Sequence, residues 1–498
     1  MNESGEKRGG GRKGGGSGVA LFGLVAGPLT FAVMLAVPAP GTLDAAGWHV
    51  AAVAVWMVIW WIAEAIPIPA TALLPIVLFP LLGTTDISGA TAPYANPLIF
   101  LFLGGFMIAR GIQRSGLHRR IALSVVRVVG TRPRNIVIGF MLAAAFLSMW
   151  VSNTATAMMM LPIAVSIIAL AESEQAMQSG RLQTSFGLVL LLGLAYACNI
   201  GGVGTLVGTP PNALMAGYLL DNHGIEIGFA QWMLVGIPFV ALGLPLIYLL
   251  LVRVLFPLSL EELPGGREVI DRELAECGQT SRAEKTVAAV FALTALLWVS
   301  RPLLDDRVSG LSDAGIAIFG GMLLFLLPLK LRKAEFVLSV ADIRKLPWEV
   351  LILFGGGLSL AAGITDSGLA DWLGGTFQAL EGMDLLVVLA LAVLLVIFLT
   401  EITSNTATAA ALLPILASVA ISLGFEPVML AVPAAVAASC AFMLPVATPP
   451  NAIVYGSGLV SLPRMARAGI FANLLMVVVI SGLVYLLAGW VFIGAFGA

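Results

Sequence analysis

The chain has 498 residues, of which 59% are apolar and only 11% are charged, and its mean hydropathy is +1.00. In a soluble domain about a quarter of the residues are charged, so a lipid bilayer must solvate much of the apolar surface of this chain. The net charge of −2 does not indicate a nucleic-acid partner, and the scattered cysteines and histidines show no disulfide or metal-site spacing. The composition predicts an all-α polytopic membrane protein.

The first 17 residues are polar, glycine-rich and basic, which is typical of a disordered tail. We predict that this tail is cytoplasmic and that the protein lies in the inner cell membrane. A signal-peptide n-region is the alternative, but no small-residue cleavage site followed by a soluble domain is present.

Apolar stretches follow along the rest of the chain, and a spanning helix needs about 20 such residues. Several of the stretches are too short or too interrupted to span a membrane alone. The full set of apolar stretches is 18–38, 47–66, 69–83, 97–113, 135–151, 154–171, 185–200, 229–257, 286–304, 311–329, 348–364, 384–402, 407–422, 427–444 and 468–495.

Two motifs each occur twice. Residues 152–157 and 404–409 both read Ser-Asn-Thr-Ala-Thr-Ala, at an offset of 404 − 152 = 252, and flanking glycine pairs keep that offset. Residues 209–213 and 448–452 both read Thr-Pro-Pro-Asn-Ala, at an offset of 448 − 209 = 239. One register held over such a distance indicates an internal duplication rather than chance similarity.

The distribution of basic residues gives the orientation of the two copies. Residues 110–134 contain seven arginines, whereas the aligned residues 362–386 contain several acidic residues and no lysine or arginine. Because basic loops stay on the cytoplasmic side, the two segments are predicted to lie on opposite sides of the membrane. We therefore expect inverted repeats, with the basic segments 253–285 and 330–345 also cytoplasmic and the first of them a solvated linker.

Each copy offers two interruptions of helical structure. Short apolar arms, 136–150 with 155–171 and 384–402 with 407–422, predict re-entrant helical hairpins with a Ser-Asn-Thr triplet at each tip. Two consecutive prolines cannot lie inside a regular helix, so we predict breaks near Gly208 and Ala447. Paired interruptions of this kind are typical of a transporter's binding site.

The chemistry of these interruptions suits an anion and a cation together. Helix N-termini favour carboxylates, while unwound carbonyls and helix C-termini favour a hard cation such as sodium. Neither motif contains Arg, Lys or His, so anion affinity should depend on bound sodium. The alternative is that these small polar residues only join helices, but two matched copies favour a site.

Two acidic residues lie in apolar surroundings, Glu64 and Glu401. Proton coupling is one interpretation, because such residues are costly in a membrane and often functional. A carboxylate satisfied by neighbouring backbone groups is the other, and both stay open. The sequence contains no nucleotide-binding motif and no nucleophile–base or metal set, so an enzyme is not predicted.

Together, the two triplets and the two proline motifs resemble the divalent anion:sodium symporters, which include bacterial dicarboxylate transporters and animal di- and tricarboxylate carriers. The resemblance extends from about residue 47 to the C-terminus. It implies a homodimer in the lipid bilayer whose protomers each have a scaffold domain and a transport domain that moves as an elevator. The implied division is a tail at 1–17, scaffold parts at 18–132 and 286–383, transport parts at 133–257 and 384–498, and a cytoplasmic linker at 258–285.

The resemblance also implies the roles of individual residues. One sodium site would use Ser148, Ser152, Asn153 and Gly208, where Gly208 is placed by internal alignment with Ala447. The second sodium site would use Thr400, Ser404, Asn405 and Ala447. The substrate carboxylates would contact Asn153, Thr154, Asn405, Thr406, Thr448 and Pro449.

The predicted function is sodium-coupled symport of C4 dicarboxylates such as succinate, malate or fumarate. A sodium-independent dicarboxylate exchanger, or a carrier of citrate or sulfate, is the alternative within transport. A membrane enzyme or a non-transporting receptor is the alternative from another class.

Overall fold

The computed structural model describes residues 16–494, except residues 131, 180–184, 259–262, 264, 305–306, 331–334 and 377–381. Most of the described chain is helical, and ten of its helical segments are long and apolar enough to cross a membrane. The predicted multi-pass helical architecture is therefore confirmed. Residues 1–15 of the predicted tail lie outside the described residues.

The helices of the first half are α1 (Gly16–Ala36), α2 (Ala45–Ala63), α3 (Ile68–Thr71), α4 (Leu74–Leu81), α5 (Ile87–Thr91), α6 (Pro97–Ser115), α7 (Leu117–Val129), α8 (Pro133–Ser148), α9 (Asn153–Ser179), α10 (Ser185–Val203), α11 (Pro210–His223) and α12 (Phe229–Leu249). A 3₁₀ turn (Ala92–Ala95) precedes α6, and a π-helical turn (Leu250–Leu255) extends α12.

The remaining helices are α13 (Gly266–Glu276), α14 (Arg282–Leu304), α15 (Asp313–Leu326), α16 (Val340–Ile343), α17 (Trp348–Asp366), α18 (Leu369–Thr376), α19 (Leu385–Thr400), α20 (Asn405–Ser422), α21 (Val428–Ala438), α22 (Pro449–Gly456) and α23 (Leu462–Ala488), and a π-helical turn (Gly489–Gly494) follows α23. Strands β1 (Pro328–Lys330) and β2 (Glu335–Phe336) form a small antiparallel pair.

The interruptions lie where the sequence predicts them. The helix pairs α8–α9 and α19–α20 are each joined by four residues that contain or adjoin a Ser-Asn-Thr triplet. Helix α11 begins at Pro210 and α22 begins at Pro449, each after an unwound segment. A proline is tolerated at the first helical position, because the N–H that it lacks has no partner within the helix there.

The two unwound segments are held in the same way. Asn212 donates from Nδ2 to the carbonyl of Thr205 (2.8 Å), and Asn451 donates from Nδ2 to the carbonyl of Leu444 (3.1 Å). The donors are 451 − 212 = 239 residues apart, and so are the acceptors, 444 − 205 = 239. The offset found in the sequence is therefore repeated in the contacts that hold the backbone.

Arginines of α6 and α7 hold the predicted cytoplasmic segments together on one face. Arg110 pairs through Nε with Asp342 (3.2 Å), and Arg114 pairs with the same carboxylate. Burial alone would raise the pKa of Asp342, but hydrogen bonds from Ser339 and the charges of Arg114 and Arg110 outweigh it, so the pKa lies below its usual value. The segments 110–134 and 330–345 thus share a face, which we call the basic face.

The predicted linker between the halves contains a helix. Residues 266–276 form helix α13, which lies along α7. The ion pairs Arg119–Glu273 (2.5 Å) and Arg127–Asp271 (2.9 Å) join the two helices. The mixed charges of the linker therefore complement the arginines of α7, and the linker belongs to the basic face.

Helices α6 and α17 connect the basic face to the opposite face of the molecule. Helices α6 and α17 have 19 residues each, and such a helix is about 28 Å long. At the far end of α6, Asn96 donates from Nδ2 to Asp221 Oδ2 (2.6 Å). Farther along that face, Arg301 pairs with Glu226 (2.8 Å).

Candidate functional site

One cavity of about 980 Å³ contains both triplets and both proline motifs. Ligand pockets usually measure about 300–1,000 Å³, so the cavity has room for a small organic anion and ions. The predicted site residues that line it are Ser152, Asn153, Thr154, Gly208, Ser404, Asn405, Thr406, Ala447, Thr448 and Pro449. Ser148 and Thr400 are fully buried behind that lining. Residues 252 positions apart in the chain thus meet at one place.

The four helices that follow the two pairs of motifs, α9, α11, α20 and α22, begin at the cavity wall. Their first residues, Asn153, Pro210, Asn405 and Pro449, all line the cavity. A helix N-terminus carries free N–H groups and about half a positive charge, so four of them are equivalent to about two positive charges. The cavity centre is therefore suited to a dianion, although neither motif contains a basic side chain.

In the first half, backbone and side-chain oxygens crowd behind Asn153. A methyl group on Gly208 would lie 2.3 Å from the carbonyl oxygen of Gly202 and 3.0 Å from that of Ser148. The side-chain oxygen Oδ1 of Asn153 is buried and has no hydrogen-bond partner among the described residues. Such a buried oxygen next to packed carbonyls is suited to a small hard cation.

The second half has a related arrangement. The hydroxyl Oγ1 of Thr400 lies 2.9 Å from Asn405 Oδ1 and 2.9 Å from the carbonyl oxygen of Ala438, at the C-terminus of α21. Ala447 is almost fully buried and contributes to the cavity wall. Hydroxyl, amide and carbonyl oxygens therefore cluster here too, at a place equivalent by sequence to the first cluster.

Polar side chains connect the two halves across the cavity. Asn199, in the otherwise apolar α10, donates from Nδ2 to Thr448 Oγ1 (3.1 Å). Thr209 Oγ1 lies 3.3 Å from Ser439 Oγ in the other unwound segment. Sequence reasoning missed Asn199, although a lone asparagine in a fully buried apolar helix was the available signal.

The two acidic residues differ in their surroundings. Glu64 is exposed, ends α2 with a left-handed backbone (φ 46°) and lines the cavity. Glu401 is buried, and backbone N–H groups of Phe442, Met443 and Leu444 donate to its carboxylate. Neighbouring backbone thus satisfies Glu401, as one of the two sequence interpretations predicts.

The cavity extends to the basic face. Arg110, Gln113, Lys345 and Glu349 line that end of it. On the opposite face, the Asn96–Asp221 and Arg301–Glu226 contacts connect helices on either side of the site. In this conformation, the site therefore communicates with the side of the membrane that bears the arginines.

Comparisons with known proteins agree with this geometry. The family model of the sodium:sulfate symporter transmembrane region matches residues 19–494. The chain is 45% identical to the sodium-dependent dicarboxylate transporter SdcS of Staphylococcus saprophyticus, over 94% of this chain and 91% of that protein. It is also 45% identical to SdcS of Staphylococcus aureus, over 93% of this chain and 90% of that protein.

Two solved structures share the fold. The Neisseria gonorrhoeae MtrF structure matches with a TM-score of 0.58 at 16% identity, over 97% of this chain and 96% of that chain. The Alcanivorax borkumensis YdaH transporter matches with a TM-score of 0.54 at 16% identity, over 95% and 98%. The family match spans nearly the whole chain and the SdcS relatives are matched over most of their length, so this protein is a membrane transporter, not an enzyme, and belongs to the sodium:sulfate symporter family.

Proposed function

We propose that this protein is a sodium-coupled symporter of C4 dicarboxylates such as succinate, malate and fumarate. The observation that carries the proposal is the single cavity in which both Ser-Asn-Thr triplets and both proline-broken helices meet. The relatives at 45% identity are sodium-dependent dicarboxylate transporters, which supports the same substrate class.

The anion would lie between the four helix N-termini. Their combined dipoles, equivalent to about two positive charges, match the two charges of a dicarboxylate. The matched triplets give each carboxylate its own set of amide and hydroxyl donors. The proposed substrate contacts are Asn153, Thr154, Asn405, Thr406, Thr448 and Pro449.

Two sodium ions would bind beside the anion as co-substrates. The first would be held by Ser148, Ser152, Asn153 and Gly208, and the second by Thr400, Ser404, Asn405 and Ala447. Asn153 and Asn405 are shared, because an amide oxygen can coordinate sodium while the amide nitrogen donates to a carboxylate. Bound sodium would then raise the affinity for the anion, and by linkage the anion would raise the affinity for sodium.

We propose that the two copies are inverted repeats that form a homodimeric elevator. Each protomer would have scaffold parts at 18–132 and 286–383, transport parts at 133–257 and 384–498, and a linker at 258–285 between them. The concentration of arginines on one face supports this orientation and a cytoplasmic N-terminus at the inner membrane. The α17 helix supports it too, since it runs from the basic face to the acidic segment after residue 366.

An elevator requires contacts that can break when the transport part moves. On the face opposite the arginines, Asn96 binds Asp221 and Arg301 binds Glu226, and both pairs join a proposed scaffold part to a proposed transport part. The backbone N–H of Phe229 donates to Asp313 (2.7 Å) across the same boundary. With the cavity open at the basic face, these contacts support an inward-facing conformation.

Sulfate is the second candidate substrate, because the description of the matching family names sodium:sulfate symport. A sulfate ion has the same charge as a dicarboxylate, but its charge lies on one compact group. It cannot place two separate anionic groups at the two triplets. Citrate transport and sodium-independent exchange are further alternatives that a transport assay distinguishes.

Purified protein reconstituted in proteoliposomes tests the proposal. Radiolabelled succinate counterflow is measured with sodium or with potassium on both sides, and unlabelled malate, fumarate, citrate or sulfate competes. We expect sodium-dependent counterflow that C4 dicarboxylates inhibit most strongly. Equal rates in potassium would contradict sodium coupling, and stronger inhibition by sulfate would favour the second candidate.

A further inference from the structure

The carboxylate of Glu401 accepts four hydrogen bonds without facing the cavity. Its Oε1 accepts from the backbone N–H groups of Phe442 (2.7 Å) and Met443 (2.9 Å) and from Asn473 Nδ2 (2.8 Å). Its Oε2 accepts from the backbone N–H of Leu444 (3.0 Å). Glu401 is only 3% exposed, and it is absent from the cavity lining although Ile402 and Thr403 belong to it.

Three of these donors are consecutive residues of the unwound segment between α21 and α22. Their N–H groups have left the helical hydrogen-bond pattern, and buried N–H groups must find another acceptor. Glu401 supplies that acceptor for all three. The same segment leads directly to Ala447 and Thr448 in the cavity wall, so the carboxylate fixes the backbone that carries them.

Among the described residues of the first half, no carboxylate takes the corresponding place. At the offset of 252, the position equivalent to Glu401 is Met149 (401 − 252 = 149). The unwound segment there is held by neutral groups: Thr205 Oγ1 donates to the carbonyl of Met149 (2.5 Å), and Trp232 Nε1 donates to the carbonyl of Val203 (2.8 Å). A buried acidic anchor is therefore specific to the second half.

We propose that Glu401 is the positioning residue of the second cation site. Its carboxylate holds residues 442–444 so that the backbone near Ala447 faces the oxygens of Thr400 and Asn405, and it contacts neither the ion nor the anion. Sodium affinity at the second site then depends on Glu401, whereas sodium affinity at the first site does not. This inference rests on the proposed sodium-coupled transport.

The test is sodium activation of succinate uptake in proteoliposomes for Glu401→Gln. Glutamine keeps the size, but its amide nitrogen faces the N–H of Leu444, so one backbone donor loses its acceptor and the negative charge is removed. We expect the half-saturating sodium concentration to rise about tenfold, which corresponds to about 1.4 kcal/mol, with a less steep dependence on sodium. The maximal rate at saturating sodium should change much less.

Two further variants separate positioning from general destabilisation. Asn473→Leu removes one of the four donors and keeps the charge, so half-saturating sodium should rise by a smaller factor, about threefold. Gly482→Ala, where a methyl group would meet no atom within 4 Å, is the control and should leave half-saturating sodium unchanged. If Glu401→Gln does not fold, Asn473→Leu decides the question.

The outcomes are distinguishable from failure of the proposed function. Wild-type protein without sodium-dependent uptake would contradict the proposed function itself. With an active wild type, an unchanged half-saturating sodium concentration in Glu401→Gln and Asn473→Leu would overturn the positioning role. A variant that loses only maximal rate would indicate a purely structural role, and loss of pH dependence with unchanged sodium dependence would indicate that Glu401 carries protons; either result overturns the inference.

Discussion

Replacement of Gly208 by alanine should disable the first proposed sodium site. Comparison of the two halves makes this change look harmless, because the aligned residue is already an alanine, Ala447 (447 − 208 = 239). The structure predicts the opposite. A methyl group on Gly208 would lie 2.3 Å from the Gly202 carbonyl oxygen and 3.0 Å from that of Ser148. Both neighbours are backbone atoms, so neither can rotate away.

The expected magnitude follows from that overlap. Ordinary contact begins at 3.4 Å, so the Gly202 carbonyl must move by 3.4 − 2.3 = 1.1 Å. When the groups of a binding site are displaced by about 1 Å, activity falls on the order of 100-fold, which corresponds to about 2.7 kcal/mol. We therefore expect the half-saturating sodium concentration for succinate uptake to rise by about 100-fold in Gly208→Ala.

The assay is radiolabelled succinate uptake in proteoliposomes over a range of sodium concentrations, after gel filtration has shown that the variant is folded. Gly482→Ala is the matched control, because a methyl group at that glycine of α23 would meet no atom within 4 Å. The control should keep wild-type sodium dependence. Wild-type half-saturation in Gly208→Ala would refute the close packing that we infer behind Asn153.

Three further predictions concern other parts of the structure. Asn153→Ala and Asn405→Ala should each abolish uptake while the oligomer stays intact by gel filtration; normal uptake in both would contradict the site. In a background without native cysteines, a mercury bridge between Asn96→Cys and Asp221→Cys should stop transport until a thiol removes it, whereas continued transport would contradict the elevator motion. The pKa of Asp342 lies below its usual value, so its ion pairs stabilise the fold above the unfolded-state pKa of about 4 and this stabilisation is lost as the pH falls through the folded-state pKa. The melting temperature should therefore drop below about pH 4 in the wild type, and Asp342→Asn should lower it at pH 7 and reduce that acid-dependent drop.

The features that could be predicted from the sequence are those with a local cause. A pair of prolines breaks a helix wherever it occurs, so the ends of α10 and α11 around Gly208 follow from the sequence alone. The unequal distribution of arginines between the two halves is also visible in the sequence alone. In the structure, segments 110–134 and 330–345 meet at Asp342. The repeat offset then placed both triplets at equivalent positions, and the cavity contains both.

The remaining features depend on partners that are remote in the chain. Asn199 meets Thr448 across 249 residues, and Asn473 meets Glu401 across 72 residues. Hydropathy patterns do not reveal such pairs, because each asparagine lies in a mostly apolar helix and its partner is on another helix. The sequence prediction described the linker as solvated and assigned it no secondary structure. Charges of α13 are paired with arginines of α7, which are remote in the chain, so the sequence alone does not show this pairing.

The two halves are alike where the anion is proposed to bind and different behind the proposed cation sites. The triplets and the Thr-Pro-Pro-Asn motifs are identical, whereas Gly208 and Met149 in the first half correspond to Ala447 and Glu401 in the second. A dianion with two equal carboxylates benefits from matched donors on both sides, so identical motifs there have a physical cause. Two cations that bind one after the other benefit from sites of unequal strength. An acidic anchor behind only the second proposed site would create such an inequality. The site with the higher affinity would then fill at the lower sodium concentration, and linkage through the anion would raise the affinity of both sites.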